Sequence, residues 1–263
     1  MLYFQHNALL GSGINQPPLV LLHGFCEDLR IWTETFWGRL SDIPVLAVDL
    51  PGFGKSPIPP SAGIDAYADA VTNLLQSLDI KRYILLGHSM GGYVALEVLS
   101  QTPGALSGVG LIHSHPFADD EMRIANRRRG IKLLRSGKKD AYLSQLFPGL
   151  FDLEWIAAHL EILSDLIAKA RQYPTEALVQ ALEGMIARKD HSDTLRKSPC
   201  PALVVAGERD ALIPYEIALR AAILPPTCQV ECLEGAGHMG MYESPERLAR
   251  IITDFYAFCL SAS

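Results

Sequence analysis

Short apolar runs alternate along the chain with longer segments in which apolar residues recur every three or four positions. Five runs are apolar throughout and predict strands buried on both faces: Pro18–Leu22, Val45–Val48, Tyr83–Leu86, Val109–Ile112 and Ala202–Ala206. Gln229–Leu233 alternates apolar and polar residues, as an edge strand would, and Leu2–Gln5 is a candidate first strand. Because parallel strands buried on both faces need helices to cover them, the pattern predicts an α/β fold with a doubly wound, mostly parallel sheet.

Two segments outside these runs have the period of a helix that buries one face. The apolar face of the first segment comprises Tyr67, Val71, Leu74, Leu75 and Leu78. The apolar face of the second comprises Leu248, Ile251, Ile252, Phe255 and Cys259. Ser244 and Pro245 predict where the last helix begins, since Ser can cap a helix and Pro suits its first turn.

The segment from Phe117 to Lys197 interrupts this alternation, because it shows helical patterning and no convincing strand. Within it, one expected helical face comprises Leu153, Ile156, Ala157, Leu160, Leu163 and Ile167. The prolines of Ser198–Pro201 stop helices and mark the return to the sheet. We therefore expect residues 117–197 to form a helical cap inserted into an α/β core made of residues 1–116 and 198–263.

Composition narrows the class of protein. A chain of 263 residues can form one domain with an insertion, and its formal net charge of -6 argues against nucleic-acid binding. No apolar run reaches the roughly 20 residues of a membrane span, and the N-terminus lacks the basic region of a signal peptide. The five cysteines are scattered, which favours neither disulfides nor a metal site. We expect a cytoplasmic monomer or homodimer that binds a small molecule and needs no metal or cofactor.

The strongest chemical signal is Gly87-His88-Ser89-Met90-Gly91, which lies between a predicted strand and a helical run. A sharp turn from strand to helix leaves little room for side chains two residues either side of its apex, so glycine is favoured there. The apex residue is strained and projects into a cleft. In this context the pattern predicts that Ser89 is a nucleophile.

A serine nucleophile needs a base and an acid that orients the base. Asp210 follows the strand Ala202–Ala206 and His238 follows the alternating strand, so both lie where strands of an α/β sheet end. The order Ser, Asp, His is the order expected for a nucleophile elbow in this fold. The alternatives for the acid are Glu208, Asp190 and Asp193, and Asp210 could instead cap a helix over Leu212–Leu219.

Donors for a developing oxyanion are expected from two backbone N–H groups. One is the N–H of Met90, directly after the nucleophile, and the other is the N–H of Phe25 in the loop after Pro18–Leu22. In that loop His23 is expected to be buried and bonded to backbone, whereas Cys26 either lines the pocket or fills space.

Several further residues are candidates for substrate contact. His88 and Met239 flank the predicted catalytic residues, and one of His113 and His115 could face the substrate because both follow Val109–Ile112. The cap carries eight basic residues and no acidic ones between positions 123 and 139: Arg123, Arg127, Arg128, Arg129, Lys132, Arg135, Lys138 and Lys139. These form either a solvated lid surface or an inward site in which Arg123 or Arg127 binds a substrate carboxylate.

Taken together, the motifs resemble the α/β-hydrolase superfamily over essentially the whole chain. The matching segments, in order, are His23–Phe25, Asp49–Ser56, Gly87–Gly92, Gly207–Asp210 and Gly235–His238. The resemblance implies a helical lid at 117–197 and a structural loop at Asp49–Ser56. Within the superfamily the chain is similar to small carboxylesterases, a group that includes lactonases and cofactor-free perhydrolases.

The resemblance implies a serine hydrolase that cleaves a small carboxylic ester through an acyl-enzyme. An alternative is a lyase or C–C bond enzyme acting on an anionic polycarboxylate, similar to the menaquinone-pathway 2-succinyl-6-hydroxy-2,4-cyclohexadiene-1-carboxylate synthase, which shares a serine elbow and a basic lid. A non-catalytic ligand-binding member is disfavoured because all three triad positions are present. Haloalkane dehalogenases are disfavoured because they carry a carboxylate where this chain has Ser89.

Overall fold

Seven strands form one sheet in the computed structural model, which describes residues 1–10, 16–61 and 63–262. The strands are β1 (Phe4–His6), β2 (Leu19–Leu22), β3 (Val45–Val48), β4 (Tyr83–His88), β5 (Leu106–Ile112), β6 (Ala202–Gly207) and β7 (Cys228–Leu233). Their spatial order is β1-β3-β2-β4-β5-β6-β7, and β1 alone among them runs antiparallel to its neighbour. The predicted mostly parallel sheet is therefore confirmed, with β7 at one edge.

Helices cover both faces of this sheet and fill the interval between β5 and β6. They are α1 (Arg30–Thr33), α2 (Ile64–Ser77), α3 (Met90–Gln101), α4 (Glu121–Arg135), α5 (Lys139–Leu146), α6 (Leu153–Ala157), α7 (Leu160–Ala170), α8 (Thr175–Ala187), α9 (Ser192–Arg196), α10 (Tyr215–Ala222), α11 (Gly240–Glu243) and α12 (Pro245–Ser261). Short 3₁₀ helices occupy Trp37–Leu40, Pro103–Ala105 and Phe147–Leu150. The apolar faces predicted for α2 and α12 are buried, apart from the half-buried Leu78.

The register of the sheet aligns the ends of its central strands. Leu22 pairs with Gly87, His88 pairs with Ile112, and Gly207 pairs with Leu233. The loops that follow β2, β4, β5, β6 and β7 therefore open on the same edge. In an open parallel sheet this carboxyl edge is where ligands bind.

Two local predictions need correction. The expected continuous helical face from Leu153 to Ile167 is divided between α6 and α7, and Leu153 and Leu160 are exposed. The α-helical pattern ends there, since the N–H groups of Ala158 and His159 donate to carbonyl oxygens three residues back, and the His159 ring stacks on Trp155 at 4.0 Å. Ser244 does precede α12, but its side chain makes no capping hydrogen bond.

The predicted cap lies where the chain leaves the sheet after β5 and returns at β6. The His191 N–H donates to the Pro116 carbonyl oxygen at 2.8 Å, and Arg188 donates to the carbonyl oxygen of Phe117. These bonds hold the outgoing and returning segments side by side. We propose residues 117–197 as the cap, with these crossings as its attachment to the core.

In the part of the chain that the structure describes, no helix has both the length and the apolar character needed to cross a bilayer. All five cysteines fall within that part, and none of them belongs to a disulfide there.

Candidate active site

Ser89 occupies the sharp turn between β4 and α3. Its backbone has φ 49° and ψ -113°, a conformation that is strained for a residue with a side chain. A Cβ added at Gly87 would lie 2.1 Å from the carbonyl oxygen of Gly91, and one added at Gly91 would lie 2.6 Å from that of His23. The glycines on either side of Ser89 are thus required by backbone that approaches too closely for any side chain.

Replacing Gly87 with alanine is expected to destabilise the folded protein severely, because its Cβ would meet backbone that cannot move aside. Gly104→Ala is the matched control, since a Cβ there has nothing within 4 Å. The control should change the free energy of unfolding by no more than about 0.5 kcal/mol. Urea unfolding of both variants measures the difference, and equal stabilities would contradict the steric account of the elbow.

Asp210 and His238 meet in the loops after β6 and β7. The His238 Nδ1–H donates to Asp210 Oδ2 at 2.7 Å, and both side chains are buried. Asp210 Oδ1 accepts the N–H groups of Leu212 and Ile213 at 2.9 Å each, while the following helix α10 begins only at Tyr215. Asp210 therefore organises its loop and orients His238, and it does not cap a helix.

The other candidate acids lie elsewhere. Glu208 is exposed and accepts the Gly235 N–H, and Asp190 and Asp193 are exposed near the end of the cap. Among the described carboxylates, Asp210 is the one that bonds to His238. Burial alone would raise the pKa of Asp210, but the His238 charge and hydrogen bonds from two histidines outweigh burial and lower it strongly.

His113 is the second histidine bonded to Asp210, a role that the sequence did not indicate. Its Nδ1–H donates to Asp210 Oδ2 at 3.2 Å, and its Nε2 accepts the Gly240 N–H at 3.3 Å. Burial, the dominant cause, lowers the pKa of His113 to about 4, so the ring is neutral at pH 7. The Gly240 N–H thereby fixes the tautomer in which the His113 Nδ1–H donates a hydrogen bond to Asp210.

The potential metal-ligand atoms of His113, Asp210 and His238 lie within 4.8 Å of one another. Hydrogen bonds account for this spacing, because both histidines donate an Nδ1 proton to the same carboxylate oxygen. A metal ion there would have to displace both protons.

The two expected oxyanion donors border the elbow. Among the described residues, neither the Phe25 N–H nor the Met90 N–H donates to another part of the chain. The neighbouring Gly24 N–H is already engaged, since it donates to Glu27 Oε2 at 2.7 Å. His23 is buried and bonded to backbone as expected, with its Nε2 accepting the Leu50 N–H at 2.9 Å.

A cavity of about 640 Å³ separates this edge of the sheet from the cap. Of the predicted site residues, it is lined by Ser89, His238, Phe25, Arg123 and Arg127. Much of the remaining lining is apolar and comes mainly from cap helices and from the loops that follow the strands: Leu133, Leu146, Leu150, Leu182, Met185, Leu212 and Ile213. Ser89 is only half-buried, so its hydroxyl is open to a ligand in the cavity.

Four predicted contact residues do not line this cavity, which corrects that expectation. Cys26 is buried beside Tyr173 and Tyr242, and burial raises the pKa of its thiol well above the usual range, as for a space-filling side chain. Met239 is fully buried, and its N–H donates to Glu243.

The two histidines of that group are held by other parts of the core. His88 bonds to Glu27 and to the His238 carbonyl oxygen. His115 packs against the rings of Tyr93 and Phe117, and burial lowers its pKa to about 3, so it is neutral at pH 7.

The basic run of the cap divides between the cavity and the outer surface. Arg123, Arg127 and Arg129 line the cavity, whereas Arg128, Lys132 and Arg135 are exposed on the other side of α4. Arg127 and Arg188 share the carboxylate of Asp119, with the Arg127 Nε–H at 2.5 Å from it and Arg188 Nη1 at 2.7 Å. Two guanidinium groups on one carboxylate leave a net positive charge beside the cavity.

A model of the alpha/beta hydrolase family matches residues 19–251. Among curated proteins, "Putative carbamate hydrolase RutD" of Stutzerimonas stutzeri is 30% identical over 247 residues, which are 92% of each chain. The 2-succinyl-6-hydroxy-2,4-cyclohexadiene-1-carboxylate synthase of an Enterobacter species is 28% identical and covers 89% of each chain. A solved thermophilic esterase of Thermogutta terrifontis has a TM-score of 0.89 at 29% identity, covering 98% of this chain and 93% of its own. The chain belongs to the α/β hydrolase family of enzymes.

Proposed function

We propose that the protein hydrolyses a small carboxylic ester through an acyl-enzyme, with Ser89 as nucleophile. The observation that carries this proposal is the half-buried Ser89 in a strained turn, facing the same cavity as His238, whose ring is bonded to Asp210. The resemblance to the Thermogutta esterase supports an ester as the substrate.

In this mechanism the Ser89 hydroxyl oxygen attacks the ester carbonyl carbon while His238 Nε2 accepts its proton. The Nδ1–H bond to Asp210 fixes the tautomer of the neutral ring, in which the lone pair lies on Nε2, and within the described residues Nε2 has no hydrogen-bond partner. The Phe25 and Met90 N–H groups hold the developing oxyanion. His238 then protonates the leaving alcohol, activates water against the acyl-enzyme, and returns the proton to Ser89.

A fluorophosphonate probe and a series of p-nitrophenyl esters from acetate to decanoate test this proposal. We expect covalent labelling at Ser89, found by peptide mass analysis, and the ester series measures which acyl length the cavity of about 640 Å³ accepts best. A p-nitrophenyl carbamate extends the series toward the activity named for the Stutzerimonas relative. Labelling at another residue, or none, would refute the assignment of Ser89.

A second candidate is a lyase acting on an anionic polycarboxylate with the same catalytic residues. The observation that favours it is the set of three arginines along the cavity, whose described lining contains a single carboxylate, that of Glu27. The Enterobacter relative carries the name of such an enzyme. Turnover of a polycarboxylate without hydrolysis of any p-nitrophenyl ester would select this candidate over the esterase.

A further inference from the structure

A second buried histidine–carboxylate pair lies directly behind the elbow. His88 Nδ1 is 3.0 Å from Glu27 Oε2, and the two side chains are 0% and 2% exposed. His88 immediately precedes Ser89 in the chain, and Glu27 also forms part of the cavity wall. The mechanism proposed above uses neither side chain.

Hydrogen bonding fixes the protons of this pair. His88 Nε2 is 2.9 Å from the His238 carbonyl oxygen, which can only accept, so Nε2 carries a proton. Glu27 Oε2 accepts the Gly24 N–H at 2.7 Å, which favours an ionised carboxylate. Nδ1 must then also donate, which makes His88 an imidazolium.

The electrostatics agree with this protonation. Burial alone would lower the pKa of His88, but attraction to Glu27 outweighs burial and leaves that pKa raised. For Glu27, burial raises the pKa, yet His88 and the Gly24 N–H outweigh burial and leave it lowered. The other titratable groups facing His88 are the rings of His113 and His238, at 5.8 and 5.0 Å, and the carboxylate of Asp210 behind them.

The pair connects the three loops that the proposed reaction needs. Glu27 bonds to the backbone of Gly24, one residue before the oxyanion donor Phe25. His88 belongs to the elbow, and its Nε2–H bonds to the backbone of the proposed base, His238. Glu27 and His88 both pack closely against Gly24, because a Cβ added at Gly24 would lie 2.8 Å from both Glu27 Oε2 and His88 Nδ1.

We propose that Glu27 and His88 form a positioning pair that fixes the Phe25 N–H and the His238 ring relative to Ser89. This inference rests on the proposed function. Oxyanion donors and the base contribute to the transition state more than to substrate binding. Loss of the pair is therefore expected to lower kcat and leave KM nearly unchanged.

Glu27→Ala tests the pair, and Glu97→Ala is its matched control. Glu97 forms a similar buried pair with His191 at 3.0 Å, on α3 and away from the cavity lining. For a p-nitrophenyl ester, Glu27→Ala should lower kcat by a factor on the order of 10². Glu27→Gln should recover part of that loss, because its amide can bond to both Gly24 and His88. Glu97→Ala should lower the unfolding temperature and keep the wild-type kcat.

Three results would overturn the proposal: an unchanged kcat, a raised KM alone, or equal losses of kcat in Glu27→Ala and Glu97→Ala. If Ser89→Ala abolishes turnover while Glu27→Ala retains it, the positioning role fails and the proposed function stands. If Ser89→Ala retains turnover, the proposed function itself fails.

Nitrogen-15 NMR of the wild-type imidazoles gives a second test that does not depend on the folding of any variant. His88 should show two protonated ring nitrogens at pH 7, assigned by through-bond correlation. A neutral His88 would overturn the ion pair.

Discussion

Replacing Ser89 with alanine is expected to lower kcat for an ester substrate by a factor on the order of 10⁶. The hydroxyl oxygen is the atom proposed to bond to the substrate, and no neighbouring group can take its place at the apex of the turn. Alanine tolerates the φ of 49° no worse than serine does, so the elbow and the cavity should persist. Steady-state hydrolysis of p-nitrophenyl acetate measures the loss.

Ser107→Ala is a suitable control for this substitution. Ser107 is a buried serine of β5, and its hydroxyl has no hydrogen-bond partner among the described residues. Its removal should leave both kcat and fluorophosphonate labelling unchanged. Near wild-type turnover in Ser89→Ala, with an unchanged unfolding temperature, would show that another residue is the nucleophile.

The centre of the sheet was predictable from the sequence because the five strands β2 to β6 are buried along their whole length. Val45–Val48 coincides with β3, and the predicted runs from Tyr83 and Ala202 begin where β4 and β6 begin. An uninterrupted apolar run of this length has few alternatives once helical periodicity surrounds it. The positions of Ser89, Asp210 and His238 at strand ends follow from that sheet, since parallel strands share one carboxyl edge.

The cap and the surroundings of the triad were less predictable. His113 bonds to Asp210 across 97 residues of sequence, and His88 bonds to Glu27 across 61. No local pattern marks such a partner, because each is a single polar residue beside a strand end and becomes significant only when the strands are aligned. The break between α6 and α7 occurs where Trp155 and His159 stack, a contact that helical periodicity does not reveal.

The bonding partner of Arg127 was likewise not predictable from the sequence. Charge counting found a basic run in the cap, but not the carboxylate of Asp119 that two arginines share. Sequence alone therefore left open whether the run is a solvated surface or an inward site, and the structure shows residues of both kinds.

Replacing Asp210 with asparagine is the second large expected effect, a fall in kcat of about 10⁴-fold. The introduced amide can keep the bonds from Leu212 and Ile213 only if its oxygen takes the place of Oδ1, which turns its NH₂ group toward the two histidines. His238 would then accept that N–H at Nδ1 and carry its proton on Nε2, where it can no longer take a proton from Ser89.

His113 makes this substitution harder to accommodate. Its Nε2 accepts the Gly240 N–H, so its Nδ1 proton is held against the new NH₂ group, and two donors face each other in a buried site. Asp210→Asn should therefore lower the unfolding temperature as well as kcat. Glu208→Gln and Asp193→Asn, at the exposed alternative acids, should change neither quantity. A loss of kcat in either of them comparable to that of Asp210→Asn would move the role of the orienting acid away from Asp210.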